Sequence, residues 1–244
     1  MMDFKPCILI PCYNHSVEFE KFLPRLLRAT GTLKIFLIDD GSVPEEAQRL
    51  QAIADGNSTI QLIRLARNGG KGTAIKAGFE AAIRQGFTHA LQIDADGQHD
   101  PDEIPLFLKR AGQNPEAGIF GAPVYDDSAP KARVYGRKIT NFWLVIETFS
   151  LKMKDGLCGF RVYPLETVKK LLKKSFWSSR MGVDLHLLVE LCWLHVPVIF
   201  VDIHVIYPEG GRSHLTPFKG NLAISLTHTQ LVIRRIWRLL TFRI

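Results

Sequence analysis

No uninterrupted apolar run in this chain is long enough to span a bilayer. The longest apolar stretch, 187–206, is broken by Glu190, His195, Pro197, Asp202 and His204, whereas a spanning helix needs about 20 mostly apolar residues. Cysteine is scarce: Cys7, Cys12, Cys158 and Cys192 lie mostly inside apolar runs and show no zinc-ligand spacing. That excludes a disulfide scaffold and a cysteine zinc site, and predicts reduced, buried thiols. The first residues lack the basic start and apolar stretch of a secretory signal, so a cytoplasmic location is expected. Internal repeats and low-complexity linkers are also missing. Acids are absent from residues 210–244, where Arg212, Lys219, Arg234, Arg235, Arg238 and Arg243 concentrate the formal charge of +7. With the excess in the tail and the rest nearly neutral, a nucleic-acid partner is not expected.

What is present, 244 residues with 46% hydrophobic side chains, suffices for a large single core. Residues 6–11, 33–38, 60–65 and 89–93 are short apolar runs rich in branched residues, the pattern of strands covered on both faces. Helix-like stretches at 17–29, 44–55 and 72–85 separate them. The alternation predicts an α/β fold with a mainly parallel sheet and helices on both faces. Beyond residue 100 the predicted order is a helix to about Gly112, a strand at 117–121, a helix over 133–153, a strand at 159–163, helices near 165–174 and 183–195, and a strand at 197–206. Residues 1–210 read as one domain, and 211–244 as a basic amphipathic C-terminal segment.

Ligands of such sheets bind beyond the carboxyl ends of the strands, and four motifs fall at such ends. Asp94-Ala95-Asp96, followed by Gly97-Gln98-His99, closes the fourth run. Side chains repeat every two residues along a strand, so both carboxylates point the same way. The pair suits one hard divalent cation completed by diphosphate oxygens and water; a solvated loop or helix cap is the plain alternative. The first run ends in Pro11-Cys12-Tyr13-Asn14, without the G-x-G-x-x-G turn of dinucleotide-binding dehydrogenases. The second ends in Asp39-Asp40-Gly41-Ser42, where a carboxylate can accept the ring N–H of uracil or guanine, or simply cap a turn. After the third comes Arg67-Asn68-Gly69-Gly70-Lys71-Gly72-Thr73. It is not an NTPase P-loop, because Leu65 and Gly72 stand where that loop needs Gly and Ser or Thr. Lys71 at a helix start can still neutralise a diphosphate.

Together the stretches ILIPCYN, FLIDDGS, LARNGGKGTAIKAGF, LQIDADGQHDPDEIP and DGLCGFRVYP, between residues 8 and 164, resemble the family 2 glycosyltransferases of GT-A fold. Within them they look like the dolichyl-phosphate mannose synthase-like, polyprenyl-phosphate branch. The resemblance implies a Rossmann-like nucleotide-binding fold over residues 1–210 and a UDP- or GDP-linked sugar donor. It implies that Asp39 contacts the nucleobase, that Asp94 and Asp96 hold Mg²⁺ or Mn²⁺ with Gln98 as a further ligand, and that Pro11, Tyr13, Asn14 and Asp40 line the nucleotide pocket. Family members carry an acid directly after the Asn, where this chain has His15.

A nucleoside diphosphate leaves a sugar only when its developing charge is stabilised, by a carboxylate-held cation and by Lys71 or Arg212. A lipid monophosphate is already a nucleophile at neutral pH, whereas a hydroxyl acceptor needs a base within reach. Asp155, ahead of the Gly-Phe-Arg segment, is the preferred candidate base, and Asp184 the second. Their alternatives are a turn-forming Asp-Gly pair and a helix cap. By resemblance Arg133 and Arg137 hold an acceptor phosphate; a solvated helix face is the competing reading. The expected activity is inverting, metal-dependent transfer to a membrane lipid, with a polyprenyl phosphate preferred. Transfer to a hydroxyl of another lipid or glycan, and a silent nucleotide-sugar-binding module, are the alternatives.

From Leu231 to Ile244 the apolar residues Ile233, Ile236, Trp237, Leu240 and Ile244 share one helical face opposite Arg234, Arg235 and Arg238. This predicts an interfacial helix placing the protein on the cytoplasmic face of a membrane. Arginines near an anionic leaflet contribute about 1 kcal/mol each. Packing of this helix on the domain or on a partner chain, with Trp237 as anchor, is the alternative.

Overall fold

The computed structural model describes residues 3–124, 131–173, 178, 180–204 and 217–241, without the side chains of 131–134 and 217–221. Seven strands form one sheet in the order β3-β2-β1-β4-β6-β5-β7. They are β1 Pro6–Cys12, β2 Ile35–Asp39, β3 Ile60–Arg64, β4 His89–Gln92, β5 Gly118–Val124, β6 Arg161–Pro164 and β7 Val198–His204. All pairings are parallel except those of β6, which runs antiparallel to β4 and β5. The helices are α1 Ser16–Thr30, α2 Pro44–Asp55, α3 Lys71–Arg84, α4 Ile104–Gln113, α5 Lys131–Thr148, α6 Leu165–Leu172, α7 Val183–Trp193 and α8 Pro217–Leu240, with a 3₁₀ turn Pro101–Glu103 leading into α4.

Alternation along the strands divides the core into two layers. Cys7 and Leu9 of β1 and Phe36 and Ile38 of β2 face α3, α6 and α7, while Ile8, Ile10, Ile35 and Leu37 face α1 and α4 through Phe19, Leu26, Ile104 and Phe107. The small face of α3, Ala74, Ala81 and Ala82, is fully or nearly buried, as its composition predicts. β1, β2 and β4 therefore read as continuous apolar runs because both of their faces are covered.

Burial also accounts for the cysteines. The thiols of Cys12 and Cys158 are each pushed up to about 12, burial being the main cause, and Cys7 moves the same way. These three stay protonated and shielded at neutral pH, so a thiol reagent is expected to leave them unmodified in the folded protein. Only half-buried Cys192 should react, slowly; mass spectrometry of alkylated native protein checks this.

The C-terminal helix starts at Pro217, ahead of the predicted Leu231, and packs on α5 and α7. Leu231 is fully buried, and His228 Nδ1 lies 2.7 Å from buried Glu147 Oε1. The arginine face turns inward: Arg234 pairs at 2.6 Å with buried Glu190, while Arg235 stacks on Phe149 and Arg238 on Trp193. Trp237 is not the packing anchor, since it is 65% exposed and lies on the outer face with Ile233, Ile236 and Leu240. Opposite faces were expected, but with the arginines at the surface of an anionic leaflet. Glu190 and Glu147, buried in apolar helices, draw the basic face onto the protein because a buried carboxylate needs a partner.

Candidate active site

Four strand ends, β1, β2, β3 and β4, bring the predicted motifs together, and hydrogen bonds tie their loops to one another. Asn14 sits at φ 54° beyond β1, donates its backbone N–H to Ser42 Oγ at 2.9 Å and accepts from Val43 N at 3.0 Å. Gly41 holds φ +72°, and a Cβ there would come within 2.4 Å of the Arg67 carbonyl carbon, so only glycine lets the second motif pass under the Gly-rich loop. Tyr13 is 38% exposed at the same edge, and Pro11 pairs with Ile38 in the sheet.

The two acids after β2 divide their work. Asp40 accepts from Gly69 N at 2.9 Å and Gly70 N at 2.7 Å, which shapes the Gly-rich loop. Burial holds its carboxyl above the usual range in spite of those two bonds. Both of its oxygens are thus engaged by backbone N–H groups of the Gly-rich loop. Asp39 is fully buried; Oδ1 accepts from Ser42 N at 2.8 Å, while Oδ2 has no hydrogen-bond donor and stands 3.5 Å from Arg64 Nε.

Lys71 leads α3 into the centre of the site. Its Nζ lies 2.7 Å from Asp94 Oδ1 and 2.8 Å from Asp184 Oδ2. Burial works against its charge, but Asp184 and Asp94 overcome this and hold the ammonium above the usual lysine range. Burial raises the carboxyl of Asp94, and Lys71, joined by His99 and Arg161, more than offsets it, leaving Asp94 below the usual range. Asp96 lacks such a partner: burial first, then the Asp94 charge, holds it above the usual range. Its Oδ1 accepts from Gln98 N at 3.0 Å. Gly159, from the Gly-Phe-Arg segment, backs Asp94 so closely that a Cβ there would lie 2.2 Å from Asp94 Oδ2. His99 stacks on Phe160 with centroids 5.6 Å apart, and its Nδ1 is buried without a partner beside the two acids. The sequence reading passed over His99, although it directly follows Gln98.

Both candidate bases are occupied. Asp184, 2% exposed, accepts from Gln92 Nε2 at 2.7 Å on one oxygen and from Lys71 on the other. Asp155, 3% exposed, accepts from Leu157 N at 2.8 Å and Cys158 N at 2.7 Å, and Arg137 donates to both of its oxygens. In this arrangement one acid anchors a buried lysine, the other a turn and an arginine. Arg137, expected at an acceptor phosphate, is thereby fixed to Asp155. The side chain of Arg133 and all of Arg212 lie outside the described residues.

Among the described residues no three His, Cys, Asp or Glu side chains converge as a metal cage. Two carboxylates, one of them short of counter-charge, suit a cation that takes its remaining ligands from diphosphate and water.

A sequence profile described as Glycosyl transferase family 2 matches residues 7–171. The chain belongs to that family, and it is a glycosyltransferase. It is 23% identical over 254 aligned positions to a dolichyl-phosphate beta-glucosyltransferase of Dictyostelium discoideum, covering 95% of this chain and 76% of that protein. It is 33% identical over 171 positions to an undecaprenyl-phosphate 4-deoxy-4-formamido-L-arabinose transferase of Shewanella sediminis, covering 68% of this chain and 50% of the relative, so the chain spans about half that protein's length. In fold it matches glucosyl-3-phosphoglycerate synthase of Mycobacterium tuberculosis, solved with Mn²⁺, UDP-glucose and phosphoglyceric acid, at TM-score 0.69 and 17% identity over 95% of this chain and 79% of the other. The fold is the GT-A arrangement that the motifs implied.

Proposed function

We propose that the chain transfers a sugar, with inversion, from a UDP- or GDP-linked donor to a polyprenyl phosphate at a membrane surface. The observation that carries this reading is that neither candidate base is free. Asp184 is committed to Lys71 and Gln92, and Asp155 to Arg137 and two backbone N–H groups. An acceptor hydroxyl would need one of them to take its proton. A phosphate monoester brings its own anionic oxygen. The relatives named for dolichyl- and undecaprenyl-phosphate support the same acceptor class.

Asp39 Oδ2, a buried acceptor without a donor, suits the ring N–H of uracil or guanine. Asp94 and Asp96 would hold Mg²⁺ or Mn²⁺, with Gln98 beside them, and the cation's chemistry there is charge neutralisation of the departing diphosphate. Lys71 keeps Asp94 ionised and aligned, Gly159 leaves room for that carboxylate, and the loop shaped by Asp40 presents its glycines to the donor. Attack by a phosphate oxygen on the face of the anomeric carbon opposite the diphosphate inverts the centre in one displacement. The competing two-step route needs a protein carboxylate as nucleophile, and Asp155 and Asp184 are both engaged.

Comparison of acceptors is the test. With nucleotide sugar and Mn²⁺, transfer to a polyprenyl monophosphate is expected and transfer to the matching polyprenol is not; equal rates with the two acceptors would contradict the reading.

Among the described residues no helix is long and apolar enough to cross a membrane; the outer face of α8 offers an apolar surface for attachment. Ile236, Trp237 and Leu240 are 51%, 65% and 72% exposed. Their replacement by serine is expected to weaken binding to phosphatidylcholine vesicles about a hundred-fold, from the apolar area withdrawn from the bilayer. A flotation assay in which the triple variant still co-migrates with vesicles would contradict this.

A further inference from the structure

At the end of the sheet away from the strand-end site, α7, α8 and the end of α5 enclose a cleft of about 160 Å³ lined by Thr148, Cys192, Trp193, His195, Arg235 and Arg238. Its place follows from chain direction. His195 stands just before β7, whose first residue pairs with the first residue of β5, whereas Asp94 and Asp96 follow the last residue of β4. Along α5, Thr148 is about 16 Å from Arg137 at 1.5 Å per residue.

Among the described residues the cleft's lining carries two guanidinium groups and no acid. Arg234, one turn away, is neutralised by Glu190, but among the described residues no carboxylate pairs with Arg235 or Arg238. Arg235 lies 4.5 Å over the Phe149 ring and Arg238 5.1 Å over the Trp193 ring. Their flat faces are thus held by aromatics while their edges keep donors to spare. The Nε atoms of both are shielded from solvent and lack a hydrogen-bond partner. Arg238 has one weak contact, from an Nη to Trp193 O at 3.5 Å. Like charges three residues apart on a helix repel, and unpaired buried donors cost free energy. An anion between them removes both costs, and a phosphate fits the planar fork of arginine by paired N–H···O bonds.

We propose that Arg235 and Arg238, with His195 at the rim, form an anion site for the phosphate group of a membrane lipid. A lipid is the source favoured by the neighbouring residues. Ile236, Trp237 and Leu240 are exposed on the opposite, outer face of the same helix, and Phe149, under Arg235, and Leu151, both just past α5, are 64% and 88% exposed. Acyl chains would meet this apolar rim while the headgroup phosphate enters the cleft. The site rests on the membrane attachment proposed above and adds a stereochemical preference that a bare apolar face lacks.

The experiment compares binding of the full chain to vesicles of phosphatidylcholine alone and of phosphatidylcholine mixed with phosphatidylglycerol, at fixed salt. In phosphatidylcholine the choline cation compensates the phosphodiester, so attachment to those vesicles is the baseline against which recognition of an uncompensated lipid phosphate is read. The wild type is expected to prefer the phosphatidylglycerol vesicles about ten-fold, the scale of one charge-assisted hydrogen-bond pair. That preference should be lost in R235Q/R238Q and largely lost in R235K/R238K, which keeps the charge and removes the fork. A lysine pair that retains the full preference would overturn the proposal, since surface potential would then explain it. Glycerol phosphate is the soluble arm: protection of Cys192 from alkylation without any vesicle preference assigns the same anion site to a soluble phosphate ester. Neither protection nor preference in the wild type overturns the site. The wild-type arms and the lysine pair keep the test decisive if the glutamine pair does not fold.

Discussion

Replacing Asp96 with asparagine is expected to lower the rate of sugar transfer about a thousand-fold, with little change in melting temperature. Asp96 has no ion-pair partner among the described residues: Lys71 pairs with Asp94 and Asp184, and burial and the Asp94 charge outweigh the pull of His99 and Lys71 and hold Asp96 above the usual carboxyl range. Asparagine keeps the size and can still accept from Gln98 N, so folding loses little and even sheds a repulsion. What it removes is half the negative charge offered to a cation, and loss of one element of leaving-group stabilisation costs two to three powers of ten, roughly, in turnover. Steady-state kinetics beside thermal melting separates the two effects. A variant that turns over normally would remove the metal from the account.

Lys71→Met is expected to have the largest effect on stability, about 3–5 kcal/mol. The ammonium sits between two carboxylates, one of them 2% exposed. Deleting it leaves Asp184 buried with Gln92 as its remaining side-chain hydrogen-bond partner among the described residues. Asp184→Asn in the same chain removes the stranded charge, so the double variant should recover much of the loss, a coupling that denaturant unfolding of the four members of the cycle measures. Additive losses would show that Lys71 does not serve as the counter-ion of Asp184.

The fold was legible because its signals are local. Apolar runs such as 6–11 and 89–93, and helix-like stretches such as 44–55, coincide within a few residues with the elements they specify. The site was legible in outline, since all four motifs fall at strand ends, where an α/β sheet must put its ligands. Partners far apart in sequence were not. Asp184 lies far along the chain from Lys71, Asp40 holds Gly69 and Gly70 of another loop, and Asp155 meets Arg137 of α5 across a break between elements. A polar residue inside an apolar run was the available clue, as with Gln92 in β4 and with Glu147 and Glu190 in their helices. Those two glutamates also decided which face of α8 turns inward, which the periodicity of the helix alone left open.

The most direct measurement is Mn²⁺ uptake followed by electron paramagnetic resonance, with and without UDP or GDP, in the wild type and in Asp96→Asn. The account predicts weak binding of the ion alone, markedly tighter binding when one of the two nucleotides is present, and loss of that gain in the variant. Uptake that neither nucleotide changes, or that survives the substitution intact, would contradict it.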